Sequence, residues 1–146
     1  MGSASSPASS QTLHRDCVGV DNFSQFGGPK DAFLSRFERY RSPNHQFHDR
    51  DYVDYFSTVH SGEIGVYFYD GEHSYHNQLN GLRVAEPFFS KNCTIFIDDT
   101  NDDEPRRATL DFVAQSLNHY NVVFDAKTHE NQHPTWWNGL MILQRQ

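Results

Sequence analysis

Two stretches of the 146-residue chain dominate any folding argument: "VYFYDGEHSY" (66–75) and "CTIFIDDTND" (93–102). Each is a β-branched and aromatic run that ends abruptly in acid, at Asp70 with Glu72 and His73, and at Asp98 with Asp99. Such runs read as strands buried on at least one face, and strands of this kind belong to sheets covered by helices. Helical patterns lie between them. In "PKDAFLSRFERY", Phe33, Leu34, Phe37 and Tyr40 recur at spacings of three and four behind Pro29. "HNQLNGLRVAEPFF" gives a second helix broken before Pro87, and "PRRATLDFVAQSLNHY" a third, starting at Pro105 behind Asp102 and Asp103. "CVGVDNF", "HQFHDRD", "YNVVFDA" and "LMILQ" read as further strands, and "YVDYFSTVHSG" as a short helix closed by Gly62.

Strands alternating with helices specify an open, largely parallel α/β sheet, in which ligands bind at the carboxyl ends of the strands. That rule gathers Asp21, Asp70, Asp98 and Asp99 at one edge. Carboxylates held together repel one another unless a cation or hydrogen-bond donors compensate them, and hard oxygen donors suit magnesium, calcium or manganese. Asp70, Asp98 and Asp99 are therefore the expected metal set, with Asn101 as a further oxygen donor; the plainer alternative is that Asp98 and Asp99 cap the next helix. His73, three residues past Asp70, is the candidate general base, because imidazole titrates near neutrality.

Composition narrows the function classes. With 36% hydrophobic residues the chain suffices for one core, expected over 17–146, while residues 1–16, rich in Ser and poor in apolar side chains, read as a disordered tail. A net charge of −7 argues against tracking a phosphate backbone, so no nucleic-acid partner is expected. No apolar run is long enough to span a bilayer, so no membrane is expected either, and the tail lacks the pattern of a signal peptide. Cys17 and Cys93 lack CxxC spacing and read as two buried thiols in a reducing, cytoplasmic compartment. In "HPTWWNG", Trp136 and Trp137 are candidates for a wall against an apolar or sugar-ring acceptor; the alternative puts one indole in the core beneath the other. Arg106 and Arg107, at a helix start, read as a solvated face.

"VYFYDGEHSYHNQL" followed by "CTIFIDDTN" resembles the second half of class I S-adenosylmethionine-dependent methyltransferases, in particular the branch of metal-dependent sugar and macrolide O-methyltransferases. An Asp-Gly-x-His signature after the fourth strand and an Asp-Asp pair after the fifth carry the likeness, which extends back to "VGVDNFSQFGG" and "FHDRDY". It implies a Rossmann-like open sheet, mostly parallel with an antiparallel strand near the C-terminus. It also implies S-adenosylmethionine as cofactor, a divalent metal such as magnesium on Asp70, Asp98 and Asp99, and His73 as base toward a small hydroxylated acceptor. Asp21 would meet the cofactor ribose, and Asp49 or Asp51 the adenine. The family's first strand and its G-x-G-x-G turn have no counterpart in this sequence, which reads as N-terminally truncated. Exposed strand edges would then favour a homodimer. The alternative to catalysis is a methyltransferase-fold remnant serving as a binding or assembly module; a metal-dependent hydrolase is a weaker third reading.

Overall fold

The computed structural model describes residues 16–25 and 28–146, so most of the expected tail lies outside the described residues. These residues form two compact units, one up to Asp51 and one from Tyr52 on. In the first, β1 (Cys17–Asp21) runs parallel to β2 (His45–Asp49) with α1 (Lys30–Tyr40) as the crossover. Its centre is aromatic: Phe33 packs on Phe47 with ring centroids 4.8 Å apart, and Phe23 and Phe37 close around them. No α1 side chain is fully buried. A two-stranded sheet with one helix offers little depth for burial.

The second unit holds every buried hydrophobic among the described residues. It runs α2 (Tyr52–Thr58), β3 (Ile64–Tyr69), α3 (Tyr75–Ala85), a 3₁₀ turn (Glu86–Phe88), β4 (Phe89–Asp98), α4 (Asp103–Gln115), β5 (Tyr120–Ala126) and β6 (Leu140–Arg145). The sheet order is β3-β4-β6-β5; β3 and β4 are parallel, and β6 is antiparallel to both of its neighbours. The architecture is therefore the α/β open sheet with mixed strand directions that the sequence implied, its antiparallel strand nearest the C-terminus. Alternation along β4 explains the layering. Cys93, Ile95 and Ile97 are buried on one face, where Met141 and Leu143 of β6 join them.

Helix α3 adds Leu79, Leu82 and Ala85 to that core, and α4 adds Ala108 and Phe112. Burying each large side chain contributes roughly 1.5–3 kcal/mol. Tyr67 and Tyr69 lock α3 onto β3: the Tyr67 hydroxyl donates to the Gly81 carbonyl at 3.0 Å, and the Tyr69 ring is buried against Gly81. The other sheet face carries a different set. Phe68, Phe96, Ile142 and Phe124 occupy partner positions on successive strands, forming an apolar row across all four, and Phe68 remains 55% exposed. Cys93 is buried as expected, but Cys17 is exposed, because β1 belongs to the shallow first unit. Among the described residues no helix is long and apolar enough to cross a membrane.

Candidate functional site

The rim is built by the turns that leave β3 and β4. Asp70 directly follows β3, and Ser74 then caps α3, its hydroxyl accepting from the Asn77 backbone N–H. That cap makes 70–73 a short, turned segment and directs His73 back across the sheet edge. Asp98 ends β4, and Asp99 follows in the left-handed region, φ +54°, a conformation that a short acidic side chain tolerates better than most. His73 Nε2 lies 3.4 Å from Asp99 Oδ2 and 3.7 Å from Asp70 Oδ1. The parallel register of β3 and β4 thus brings Asp70, His73 and Asp99 to one rim. Alone, burial would lower the His73 pKa; the carboxylates of Asp70, Asp99 and Asp98 outweigh it and hold the value above the ordinary one. Asp98 is shifted up as well, by burial first, against the lowering effect of the Asp99 backbone N–H. His73 Nδ1 is buried and has no hydrogen-bond partner among the described residues.

Whether a cation fits here depends on convergence as well as on donor chemistry. The donors are hard oxygens, as magnesium prefers. Among the described residues, however, no group of three or more His, Cys, Asp or Glu side chains is arranged to hold a metal ion. Asn101, the expected extra donor, is committed elsewhere: its Oδ1 accepts the Thr128 N–H at 2.9 Å, and its Nδ2 donates to Thr128 Oγ1 and Asn131 Oδ1.

Those bonds draw the β5–β6 loop to the same end of the sheet. Asp98 and Leu140 are partners across β4 and β6, only three residues beyond Trp137. Trp136 and Trp137 are 47% and 55% exposed, so neither indole lies in the core as the plainer reading required. A tight turn explains this, since His133 and Trp137 exchange backbone hydrogen bonds at 2.9 and 3.1 Å and turn the indoles outward. Trp136 meets Phe124 edge to face, centroids 5.6 Å apart. Arg106 and Arg107 are not simply solvated: Arg106 grips Asp125, and Arg107 lies over the Tyr75 ring. Sequence reasoning missed Asn101 as a tether, because nothing in a lone Asn distinguishes a loop anchor from a ligand.

In the first unit, the register pairs Asp21 with Asp49 at the carboxyl ends of β1 and β2. Asp21 Oδ1 accepts the Phe23 N–H at 2.8 Å, and Asp49 is ion-paired with Lys30. Asp51 closes the unit just beyond β2.

Compared with known families, the sequence matches the profile described as a methyltransferase domain over residues 3–100. The chain belongs to that family. Among solved structures, the methyltransferase domain is similar to the O-methyltransferase TomG from Streptomyces achromogenes, involved in tomaymycin synthesis and solved with SAM. That likeness has a TM-score of 0.57 at 13% identity, covering 89% of this chain and 61% of that one. It is also similar to cofactor-bound Rv0187 from MTB, with a TM-score of 0.61 at 14% identity over 88% and 61%. A Corynebacterium glutamicum protein gives 0.58 at 13% identity over 89% and 60%. The domain thus spans about 60% of the length of these structures, and the likeness establishes the class I methyltransferase fold. A comparison with curated proteins gives no match.

Proposed function

We propose that this domain serves S-adenosylmethionine-dependent methylation of an oxygen on a small hydroxylated acceptor. The observation that carries the reading is the placement of His73 Nε2 between Asp99 and Asp70 at the carboxyl ends of two adjacent parallel strands. The cofactor, when bound, supplies an electrophilic methyl group. Asp21 is proposed to receive the ribose hydroxyls: one of its oxygens orders the β1 turn, leaving the second to accept. Asp49 and Asp51 are proposed toward the adenine, with Asp49 sharing its charge with Lys30.

His73 is the group proposed to take the acceptor's hydroxyl proton at Nε2. Its raised pKa means that the neutral, basic form grows in at higher pH than for a free histidine. Asp70 and Asp99 stabilise the imidazolium that results, while Trp136 and Trp137 are proposed to face the acceptor. The divalent cation is the finest part of the reading. Asp70, Asp98 and Asp99 have suitable oxygens but do not close around an ion as they stand, so the proton transfer is written through His73 alone.

Calorimetric titration with S-adenosylhomocysteine, with and without magnesium, tests the reading. Saturable heat is expected, followed by transfer of labelled methyl to a panel of hydroxylated sugars and polyketides that His73→Gln lowers at least 100-fold. No heat at millimolar ligand would instead favour the noncatalytic remnant.

A further inference from the structure

The β5–β6 loop is held at the rim mainly by one side chain that belongs to neither the loop nor the acid–base group. Asn101, in the turn after β4, donates its backbone N–H to the Asn138 carbonyl at 2.6 Å. Its amide oxygen accepts the Thr128 N–H at 2.9 Å, and its amide nitrogen donates to Thr128 Oγ1 at 2.7 Å and Asn131 Oδ1 at 2.9 Å. Its carbonyl also receives Lys127 Nζ at 3.4 Å. Thr128 passes the restraint on, since its hydroxyl donates to the Trp137 carbonyl at 3.3 Å. Gly139 completes the joint: φ is +92°, and a Cβ there would stand 2.7 Å from Asn101 Oδ1, so the close approach requires glycine.

Two of the joint's consequences are chemical. The indoles are not deeply buried, both being about half exposed; Trp136 leans on Phe124, and the turn that carries both indoles is set by hydrogen bonds. Thr128 links that turn to Asn101, two positions after Asp99, by accepting from the Asn101 amide and donating to the Trp137 carbonyl. We infer that Asn101 is the positioning residue of the acceptor wall, fixing Trp136 and Trp137 at the β4 end so that the site selects a ring-shaped hydroxylated acceptor. Aromatic faces held in advance bind a ring without ordering cost at the moment of binding, whereas a loose loop has to supply that ordering each time. This inference rests on the proposed methyl transfer only for the identity of the ligand.

Trp136 and Trp137 are the only two tryptophans, so emission excited selectively at the red edge of tryptophan absorption reports this loop. The full chain, Asn101→Ala and Thr128→Val are compared by acrylamide quenching, by emission titration with phenyl β-glucoside as the ring probe, and by calorimetry with S-adenosylhomocysteine. Far-UV circular dichroism confirms that each variant is folded, and Thr128→Val serves if Asn101→Ala is not. Expected are a two-fold or greater rise in quenching and a ten-fold or greater loss of phenyl glucoside affinity, with S-adenosylhomocysteine affinity unchanged within two-fold. Unchanged quenching and probe affinity in a folded variant, or no probe binding by the native chain, would overturn the inference. Absence of S-adenosylhomocysteine binding by the native chain would sink the methyltransferase reading instead and leave the tether intact.

Discussion

Gly81 of α3 lies so close to the Tyr69 ring that a Cβ built there would stand 2.7 Å from Cδ2 and 2.9 Å from Cζ. The contact is made by a buried ring at the end of β3 against the helix backbone, so neither side can give way easily. Gly81→Ala is therefore expected to destabilise the second unit by about 1–3 kcal/mol, despite the better helix propensity of alanine. Urea denaturation followed by circular dichroism measures it, and Tyr69→Leu in the same background should recover part of the loss.

Arg106 donates to both Asp125 oxygens, at 2.8 and 2.5 Å, and so ties α4 to β5. The Arg106 hydrogen bonds hold the Asp125 carboxyl below its ordinary pKa, with partial burial opposing them. A carboxylate depressed in the folded state stabilises above its unfolded pKa, and the contribution is lost as pH falls through the folded value. Both side chains are partly exposed, so its size is about 0.5–1 kcal/mol at neutral pH. Arg106→Gln should lower the denaturation midpoint at pH 7 and converge with the native chain toward pH 3; a gap that persists in acid would refute the linkage.

The two cysteines should separate chemically. Cys93 is fully buried, and burial pushes its thiol up to about 11, with Arg145 pulling the other way, whereas Cys17 is exposed. Thiolate is the reacting species. Native protein at pH 8 is expected to consume one equivalent of a disulfide reagent within minutes and the second only when denaturant is added. Mass spectrometry of the labelled peptides assigns the sites.

Stability is expected to be unequal between the units. The first has an aromatic cluster without fully buried hydrophobics, and the second has the whole core. Native-state hydrogen exchange should show β1 and β2 amides opening at lower free energy than those of β4 and β6, where Ile95, Ile97, Met141 and Leu143 sit at zero exposure. Equal protection in both sheets would contradict this.

Much of this was readable in the sequence because two signals were strong. The β-branched and aromatic runs before Asp70 and Asp98 forced parallel strands with acids at one end, and the three-and-four spacing of Phe33, Phe37 and Tyr40 gave α1 nearly to the residue. What escaped was set by contacts distant in sequence. Cys17 looked buried because its local pattern resembles that of Cys93; only the depth of each unit separates them. Trp136 and Trp137 looked divisible between core and surface, yet the His133–Trp137 turn exposes both. Asn101 offers the same oxygen to a cation or to a backbone N–H, and only the arrival of Thr128 decides between them.

The row formed by Phe68, Phe96, Ile142 and Phe124 bears on how the chain behaves at concentration. Hydrocarbon displayed across a sheet invites self-association, and the seven surplus negative charges of the chain oppose it. That defence has a range of about 10 Å at 0.1 M salt and shrinks as salt is added or as acid neutralises the carboxylates. Self-association is therefore expected to rise as salt is added or the pH is lowered, and light scattering across a salt series at fixed pH checks it.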